Sequence, residues 1–188
     1  MIRKARAADI DAIEKIYEKI LTEEEAGRAS IGWQRGVYPT RKVAEDALEK
    51  GTLFVLVLEE AGEAGCRAAE TAEAGRIAAA AKIDREIVPI YKECRWEYPA
   101  PDSEVMILHT LVVDPELSGR GYGRQFVKFY EDYALENGCR YLHMDTNEKN
   151  AAARRLYKSL GYTEPDILPC VFNGIEGVRL VCLEKKLD

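Results

Sequence analysis

Hydrophobic residues recur at two different spacings in the amino-terminal part of the chain, and each spacing predicts a different element. Residues 2–7 predict a short strand, and the isoleucines that follow at helical spacing predict an amphipathic helix with Asp9 as its N-cap. Residues 39–51 predict a second helix that Thr40 can cap and Gly51 can end. These patterns favour two helices that each bury one face.

The middle of the chain carries runs that are typical of buried strands. Residues 52–59 are rich in β-branched and aromatic side chains and predict such a strand. Residues 76–84 are interpreted as another strand, although their alanines would serve a helix equally well. Residues 60–75, low in bulky apolar side chains and dotted with glycine, predict an extended, mobile hairpin connection. Residues 104–113 are apolar on both alternating faces, which predicts a central strand covered on both sides.

The carboxyl-terminal part alternates between the two periods. A helix with an aromatic stripe is predicted from Tyr122 to the Asn-Gly pair at 137–138. A strand over 139–146, a short helix over 151–161 and a last strand over 177–187 follow. Strands that alternate with helices on a mixed sheet define an α/β or α+β fold class.

Length and composition restrict the class of protein further. With 188 residues the chain can build one sizeable core but hardly two, so residues 1–188 are expected to form a single domain. Apolar residues make up 47% and charged residues 32%, which is ordinary for a globular protein. The charged start and the lack of a long apolar run predict a cytoplasmic protein with no membrane partner.

Charge and cysteine usage argue against several kinds of partner. A formal net charge of −6 disfavours binding to nucleic acid, which depends on clustered Lys and Arg. The five cysteines are an odd number without C-x-x-C spacing, so they suggest neither a disulfide framework nor a zinc site. Reduced thiols and the absence of a metal are therefore expected, and Cys170, with no adjacent His or Lys, is interpreted as structural.

The glycine-rich stretch VVDPELSGRGYGRQF at 112–126 follows the central strand and leads into a helix. The first N–H groups of a helix have no intrahelical partner and the helix dipole adds positive charge, so such a turn favours a phosphate. Gly119, Gly121 and Gly123 would allow positive φ and close approach of a ligand. Arg120 and Arg124 would add charged donors.

Other interpretations of this stretch are possible. A P-loop would need Gly-Lys-Ser/Thr, which is missing, and a dinucleotide fingerprint would need glycine where Arg124 stands. A tight strand-to-helix turn without a ligand is the structural alternative. A second motif, NAAARRLYKSLGY at 150–162, makes that alternative less attractive.

Together the two segments resemble the GCN5-related N-acetyltransferase (GNAT) family, with signatures V-x-P-x-x-Q/R-x-x-G-x-G/A and N-x-x-A-x-x-L-Y-x-x-L-G-F/Y. The first motif is matched by Val113, Pro115, Gly119, Gly121 and Gly123, and the second by Asn150, Ala153, Leu156, Tyr157, Leu160, Gly161 and Tyr162. Ser118 departs from the family pattern because it replaces the usual Gln or Arg. It is expected to donate a backbone N–H and a hydroxyl instead.

The resemblance implies a mixed, mostly antiparallel central sheet flanked by helices, with two central parallel strands that splay apart. It implies acetyl-CoA as cosubstrate, with residues 1–103 mainly on the acceptor side, 104–162 forming the acetyl-CoA site and 163–188 supplying closing strands. The expected cofactor-binding residues are Leu111, Val112, Val113, Ser118, Gly119, Arg120, Gly121, Tyr122, Gly123, Arg124, Asn150, Ala153 and Tyr157.

Acetyl transfer from a thioester to an amine needs a proton acceptor and a proton donor. Tyr157 is the expected general acid, because a phenol with a pKa of about 10 can protonate a thiolate whose thiol has a pKa of about 8.5. His109 and Glu104 are the expected bases, with His143 and Asp145 as weaker options. Each has a plain alternative: a core aromatic for Tyr157, a hydrogen-bonded core histidine for His109 and a solvated strand-end charge for Glu104.

The acceptor is expected to be the primary amine of a small molecule. Residues 31–39 and 95–99 each hold a Trp and a Tyr that could form an aromatic wall for it, although hydrophobic packing is the more ordinary role. A peptide or ribosomal-protein N-terminus and a non-catalytic acyl-CoA sensor are the alternative functions. A homodimer could form by pairing of the terminal strand.

Overall fold

Seven strands alternate with four α-helices in the computed structural model, which describes residues 1–59 and 75–188. The strands are β1 (Ile2–Lys4), β2 (Leu53–Leu58), β3 (Arg76–Asp84), β4 (Val105–Val113), β5 (Tyr141–Asn147), β6 (Thr163–Phe172) and β7 (Ile175–Lys186). The helices are α1 (Ile10–Glu25), α2 (Arg41–Glu49), α3 (Tyr122–Glu136) and α4 (Ala151–Ser159).

The strands form one sheet in the order β1-β2-β3-β4-β5-β7-β6. Only β4 and β5 run parallel, and every other neighbouring pair is antiparallel. The predicted mixed, mostly antiparallel sheet is therefore confirmed, and the strand predicted to be central, β4, occupies the middle position. The alanine-rich β3 is a strand because its small side chains are buried between helices on both faces.

The two parallel strands stay together over only part of their length. They share four pairs, from Val105 with Tyr141 to Leu108 with Met144, and beyond these β4 follows β3 while β5 follows β7. At the point of separation Thr110 has a φ of 52°, and the β3–β4 register shifts between Ala80 and Lys82. This is a β-bulge, which bends a strand and re-aims its side chains. The predicted splay is thus present.

A tyrosine from α3 holds the paired ends of these strands. The Tyr130 hydroxyl lies 2.6 Å from the Met106 carbonyl oxygen of β4 and 3.1 Å from the His143 carbonyl oxygen of β5. The ring is fully buried, so the hydroxyl has no access to water in place of these acceptors. Tyr130 therefore clamps β4 to β5 just before they diverge.

Helices cover both faces of the sheet. Alternate residues of β2 show this: Leu53 and Val55 pack in the cluster with α1 and α2, whereas Phe54 and Leu56 pack in the cluster with α3. A third cluster, centred on Tyr91, lies beneath the segment 85–104, which covers β4, β5 and β7 on the same side as α1. The resulting three layers leave the splay between β4 and β5 accessible.

Several predictions about local structure need correction. Asp9 precedes α1 but does not cap it, because its carboxylate accepts the Arg6 N–H (2.7 Å) and the Arg3 guanidinium (2.7 Å). Thr40 occupies the N-cap position of α2 without a capping bond from its side chain. The prediction for residues 60–75 falls outside the described residues except at its last position.

The end of the chain also differs from its prediction. Residues 163–172 form β6, a strand that the pattern did not delimit because Pro165 and Pro169 interrupt it; proline is tolerated here because β6 is an edge strand. The last strand, β7, is bonded to β5 on one side and β6 on the other. From Leu180 to Glu184 it has a neighbour on both sides, so this part of the strand offers no edge to a second copy of the chain, and the homodimer stays a prediction.

The clamp leads to a stability prediction. Tyr130→Phe leaves two buried carbonyl oxygens without their shared donor, and we expect it to lower the free energy of unfolding by about 1–3 kcal/mol. Urea denaturation monitored by circular dichroism would measure this. Tyr133→Phe, on the same helix but partly exposed, is the control, and an equal loss in both variants would contradict the assigned clamp.

Candidate active site

A cavity of about 630 Å³ occupies the space where β4 and β5 diverge. Its walls include the ends of β4 and β5, the start of α4, the segment after α1 and the turn between β6 and β7. Seven of the residues predicted to bind the cofactor line it: Leu111, Val112, Val113, Ser118, Asn150, Ala153 and Tyr157. Residues 119–124 lie beyond its edge, in the loop that continues from Ser118 and in the first turn of α3.

A buried carboxylate fixes the turn that begins this loop. Asp114, 3% exposed, accepts the Glu116 N–H at 3.1 Å and so caps the turn Pro115–Leu117. It also pairs with Lys19 of α1 (3.1 Å) and Arg76 of β3 (2.8 Å). Burial alone would raise the pKa of Asp114, but these hydrogen bonds and charges lower it, so the group stays ionised. The turn is therefore attached to two other elements.

The three glycines of the loop serve two different purposes. Gly119 and Gly121 have φ of 76° and 85°, a left-handed conformation that side chains with a Cβ rarely adopt. Gly123 lies within α3, where a Cβ would stand 3.2 Å from Leu156 Cδ2 of α4. Positive φ explains the first two glycines, whereas close packing of two helices explains the third, contrary to the prediction of positive φ at all three.

Backbone donors collect at the start of α3. The N–H groups of residues 119–124 have no hydrogen-bond partner within the described residues, and they lie at the positive end of the helix dipole. The Ser118 N–H, expected to face a ligand, instead bonds to the Pro115 carbonyl oxygen at 3.2 Å, leaving the hydroxyl available. Arg120 is exposed, and Arg124 donates to the Ser159 hydroxyl at 2.7 Å. This arrangement suits a phosphate.

Asn150 combines two tasks. Its side-chain oxygen accepts the Ala153 N–H at 3.1 Å, which makes it the N-cap of α4. It also lines the cavity, so its amide nitrogen is available to a ligand there. The sequence pattern indicated only the second of these tasks.

Tyr157 and Asp145 line the same cavity from α4 and β5. Burial raises the pKa of Tyr157 above its usual value of 10, and the nearby Asp145 carboxylate raises it further. Burial also raises the pKa of Asp145, while the Tyr91 hydroxyl, which donates to it at 2.7 Å, and the charge of His109 act in the opposite direction. A carboxylate with a raised pKa in a cavity is suited to accept a proton.

Asp145 was only a weaker option in the sequence, although a signal for it exists. It alternates with Met144, which faces the core beneath α3, so it must face the opposite side, where the splay opens. An Asp at the open end of a central strand is costly to bury without a purpose. Only the register of β4 against β5 shows that the strands have separated at this residue.

His109 lines a second cavity, of about 340 Å³, and not the first. Its Nε2 lies 3.1 Å from Asp84 Oδ1. Burial alone would raise the pKa of Asp84, but hydrogen bonds from His109, the Glu86 N–H and Lys82 lower it to about 2. The bond fixes the proton on Nε2 and leaves Nδ1 as the acceptor in the neutral ring.

The two cavities meet at a shared wall. Its members line both of them: Tyr38, Thr110, Asp145, Phe172 and Asn173. The Tyr38 hydroxyl forms a short hydrogen bond with the Thr110 hydroxyl. Asp145 is the only carboxylate among these described residues, so it can be reached from either side.

Two of the other candidates lie elsewhere. Glu104 is exposed in the turn Asp102–Glu104, at the opposite end of β4, and lines neither cavity. The His143 ring is buried and stacks on Trp96 with ring centroids 3.7 Å apart. Burial lowers the pKa of His143 to about 4. The structure therefore brings together Tyr157, Asp145 and, across the shared wall, His109, but not Glu104 or His143.

Of the two aromatic segments, 31–39 lines the first cavity and 95–99 does not. Trp33 and Tyr38 line the first cavity, with their rings edge to face at 5.8 Å. Trp96 packs instead between Tyr91 and His143 in the core. Cys170 lies in β6 outside both cavities, and burial raises the pKa of its thiol. Of the two predicted aromatic walls, only the one from 31–39 faces the site.

Two further observations concern residues 1–59 and 75–188. No group of three or more His, Cys, Asp or Glu side chains there is arranged to hold a metal ion. No helix in these ranges is long and apolar enough to cross a membrane.

Comparison with known proteins identifies the family of this chain. The model of the acetyltransferase (GNAT) family matches residues 20–162, which is more than half of the chain. The chain belongs to this family, as the two motifs predicted.

Curated relatives match shorter stretches. An uncharacterized N-acetyltransferase of Methanocaldococcus jannaschii is 30% identical over 76 residues, which is 40% of this chain and 34% of that protein. The ribosomal protein bS18 alanine N-acetyltransferase of Salmonella typhimurium is 37% identical over 60 residues, 32% of this chain and 40% of that protein. The matched stretch thus spans between a third and two fifths of these relatives.

Solved structures agree over the whole chain. An acetyltransferase of the GNAT family from Streptococcus agalactiae superposes with a TM-score of 0.74 at 22% identity, covering 100% of this chain and 95% of that one. An acetyltransferase from Salmonella typhimurium, solved with its cofactor acetyl-CoA, has a TM-score of 0.64 at 22% identity, with 100% and 94% coverage. At these identities the likeness establishes the fold.

The double task of Asn150 can be separated by substitution. Asn150→Ala removes the cap, and we expect it to lower the free energy of unfolding by about 1 kcal/mol and to weaken acetyl-CoA binding. Asn150→Asp keeps a capping oxygen, loses the amide donor and adds a negative charge, so stability should be retained while binding weakens. Thermal unfolding and isothermal titration calorimetry measure the two effects. Equal stability of all three proteins would contradict the assigned cap.

Proposed function

We propose that this protein transfers the acetyl group of acetyl-CoA to the primary amine of a small molecule by direct attack in a ternary complex. The observation that carries the proposal is the convergence on one splay of a row of free N–H groups, a buried tyrosine and a half-buried carboxylate. Anion binding, proton donation and proton acceptance are the three tasks of such a transfer.

The residues around the first cavity fit acetyl-CoA. The free N–H groups of 119–124 would hold its pyrophosphate, supported by Arg120 and Arg124. Between Leu111 and Val113, β4 has left β5, so backbone groups on that edge can pair with the amides of the pantetheine arm and with the thioester oxygen. Asn150 and Ser118 add side-chain donors beside the arm.

The chemistry assigns one proton transfer to each of two residues. The carboxylate of Asp145 takes a proton from the bound ammonium, and the neutral nitrogen attacks the thioester carbonyl carbon. This attack forms the C–N bond. The C–S bond then breaks, and Tyr157 gives its hydroxyl proton to the departing sulfur. The second proton on the nitrogen passes to solvent and Tyr157 is reprotonated, which balances charge and protons.

The raised pKa of Tyr157 is compatible with this task. A phenol with a pKa above 10 is a weaker acid than the thiol it would form, whose pKa is about 8.5 in water. The cavity that disfavours the phenolate disfavours the thiolate as well, because both are anions removed from water. The pKa values of donor and acceptor therefore rise together, and the difference that decides the transfer changes less than either value.

Asp145 is a better candidate for the base than His109. It is reached from both cavities, whereas His109 opens only to the second and is held by Asp84. His109 can still receive the proton afterwards through its free Nδ1. Glu104 is left out of the proposed mechanism because of its distant position.

A peptide acceptor is the second candidate, because relatives and structural neighbours include ribosomal-protein alanine N-acetyltransferases. The second cavity favours the small molecule, since its volume of about 340 Å³ can enclose a compact acceptor beside Asp145. An acyl-CoA sensor would need neither the tyrosine nor the carboxylate.

Tyr157→Phe tests the acid. We expect kcat to fall by about 10²- to 10⁴-fold with acetyl-CoA affinity retained, because only the proton donor is lost. Chromatographic separation of acetyl-CoA from free CoA over a panel of amines measures turnover without thiol dyes. Tyr162→Phe, whose ring is 6.1 Å from that of Tyr157 and outside the cavity, is the control. Full activity in Tyr157→Phe would exclude this tyrosine as the acid.

Asp145→Asn tests the base through pH. Asp145 acts as a carboxylate, and burial raises its pKa above 3.8, so kcat should decline as the pH falls through that raised value. The variant should lose about 10²-fold in kcat and lack this acidic limb. His109→Gln should keep the limb; if the limb disappears there and persists in Asp145→Asn, the base is His109 instead. Values of kcat measured at saturating amine between pH 4 and 9 distinguish the two candidate bases.

A further inference from the structure

The charged groups of the second cavity are almost all paired with one another. Lys82 Nζ lies 3.0 Å from Asp84 Oδ2 and 2.8 Å from Glu86 Oε2. Lys50 Nζ reaches the same Glu86 oxygen at 3.2 Å. Asp46 at the rim pairs with Lys42 at 2.7 Å. The two lysines that line this cavity are therefore neutralised before any ligand arrives.

Asp145 is the exception among the described carboxylates that line the cavity. Its hydrogen bond comes from the neutral Tyr91 hydroxyl at 2.7 Å, and it has no ion pair with a cation of the described residues. His109, whose charge lowers the pKa of Asp145, is already hydrogen-bonded to Asp84. The negative charge of Asp145 thus has no counterion on the wall that the two cavities share.

Beside the polar side chains of Tyr38, Thr110 and Asn173, the remaining wall has an apolar part. It is formed by Val43 and Ala47 of α2, by the segment Ile87, Val88 and Pro89, and by Phe172. These side chains offer no hydrogen bond to a ligand. A ligand body placed against them gains from burial of its own apolar surface.

From this charge balance we infer that the acceptor is a compact monoamine with one positive charge and an uncharged, mainly apolar body. Its ammonium would bind Asp145, and its body would lie against the apolar wall of the second cavity. The inference rests on the proposed function, because it assigns the acceptor side of the same site. It goes further in excluding two large classes of amine, the amino acids and the diamines.

Each excluded class would bring a charge that the cavity cannot match. The carboxylate of an amino acid would have to compete with Glu86 for Lys50 and Lys82. The second ammonium of a diamine would be removed from water beside an apolar wall. A charge buried without a partner is strongly unfavourable, so specificity here would come from rejection as much as from attraction.

A matched set of acceptors tests this selection. Leucine is isopentylamine with an added carboxylate, and 1,5-diaminopentane has as many carbon atoms as isopentylamine, in an unbranched chain with an added ammonium. We expect kcat/KM for isopentylamine to exceed that for each of the others by about 10²-fold or more, measured as CoA release. A peptide with an N-terminal alanine completes the set.

Glu86→Gln is expected to shift the preference of the cavity towards an acceptor that carries a carboxylate. This substitution removes the carboxylate that neutralises two lysines, so the cavity gains an unbalanced positive charge. We expect the ratio of kcat/KM for leucine to that for isopentylamine to rise about 10-fold, with no gain for the diamine. Glu45→Gln is the control, because Glu45 pairs with Arg41 on the exposed side of α2 and lines neither cavity.

The outcomes separate the two levels of the proposal. Equal or better use of leucine or the diamine by the native protein would overturn the inference, and so would a gain for the diamine in Glu86→Gln. In those cases amine-dependent turnover still supports an acetyltransferase of small amines. Turnover of the peptide alone would overturn both the inference and the small-molecule acceptor. No turnover with any amine, while acetyl-CoA binds, would overturn the acetyltransferase itself.

Discussion

The parallel pairing of β4 with β5 ends after four pairs, and the rest of the site depends on that limit. On one side of the limit the Tyr130 hydroxyl holds the two strands through their carbonyl groups. On the other side the bulge at Thr110 turns β4 away. A sheet that stayed paired would satisfy its own backbone groups and leave no room for a substrate. Here the backbone N–H and C=O groups on this edge of β4 have no strand partner, so they are available to a ligand in the cavity.

The bulge also decides which side chains face which cavity. Before it, odd-numbered residues of β4 such as Ile107 face the side of the segment 85–104; after it, the even-numbered Val112 faces that side and packs with α1. The reversal sends Leu111 towards the cofactor side while His109 opens to the second cavity. One extra residue thus separates the surface proposed for the cofactor from the surface proposed for the acceptor. Asp145, on the strand without a bulge, is accessible from both.

Local patterns predicted most of the fold, because the elements that flank the site have strong periodicity or strong stop signals. The helix from Tyr122 to Glu136 and the central strand were located to within a residue. The pattern failed at β6, where two prolines suit an edge strand but disguise it, and at Asp9, whose carboxylate is used by an arginine instead of a helix. Both errors concern which partner a residue finds in the folded chain, and that information is not local.

The same limit applies to the site. The glycine loop and Tyr157 could be found because their roles depend on neighbours in sequence. Asp145 and the separation of His109 from the first cavity depend on strand register across 36 positions, which no local pattern contains. Glu104 lies just before the start of β4, as the sequence indicated, whereas the cavity lies at the carboxyl end of that strand.

The close approach of Gly123 to Leu156 has a mechanical consequence. A Cβ at position 123 would stand only 3.2 Å from a Leu156 methyl group, so a larger side chain there would push the start of α3 away from the middle of α4. The turn proposed to bind phosphate leads into the first helix, and Tyr157, the proposed acid, follows Leu156 on the second. The distance between the proposed anchor of a long, flexible cosubstrate and the proposed acid at its reactive end therefore depends on this helix packing together with the hydrogen bond from Arg124 to Ser159.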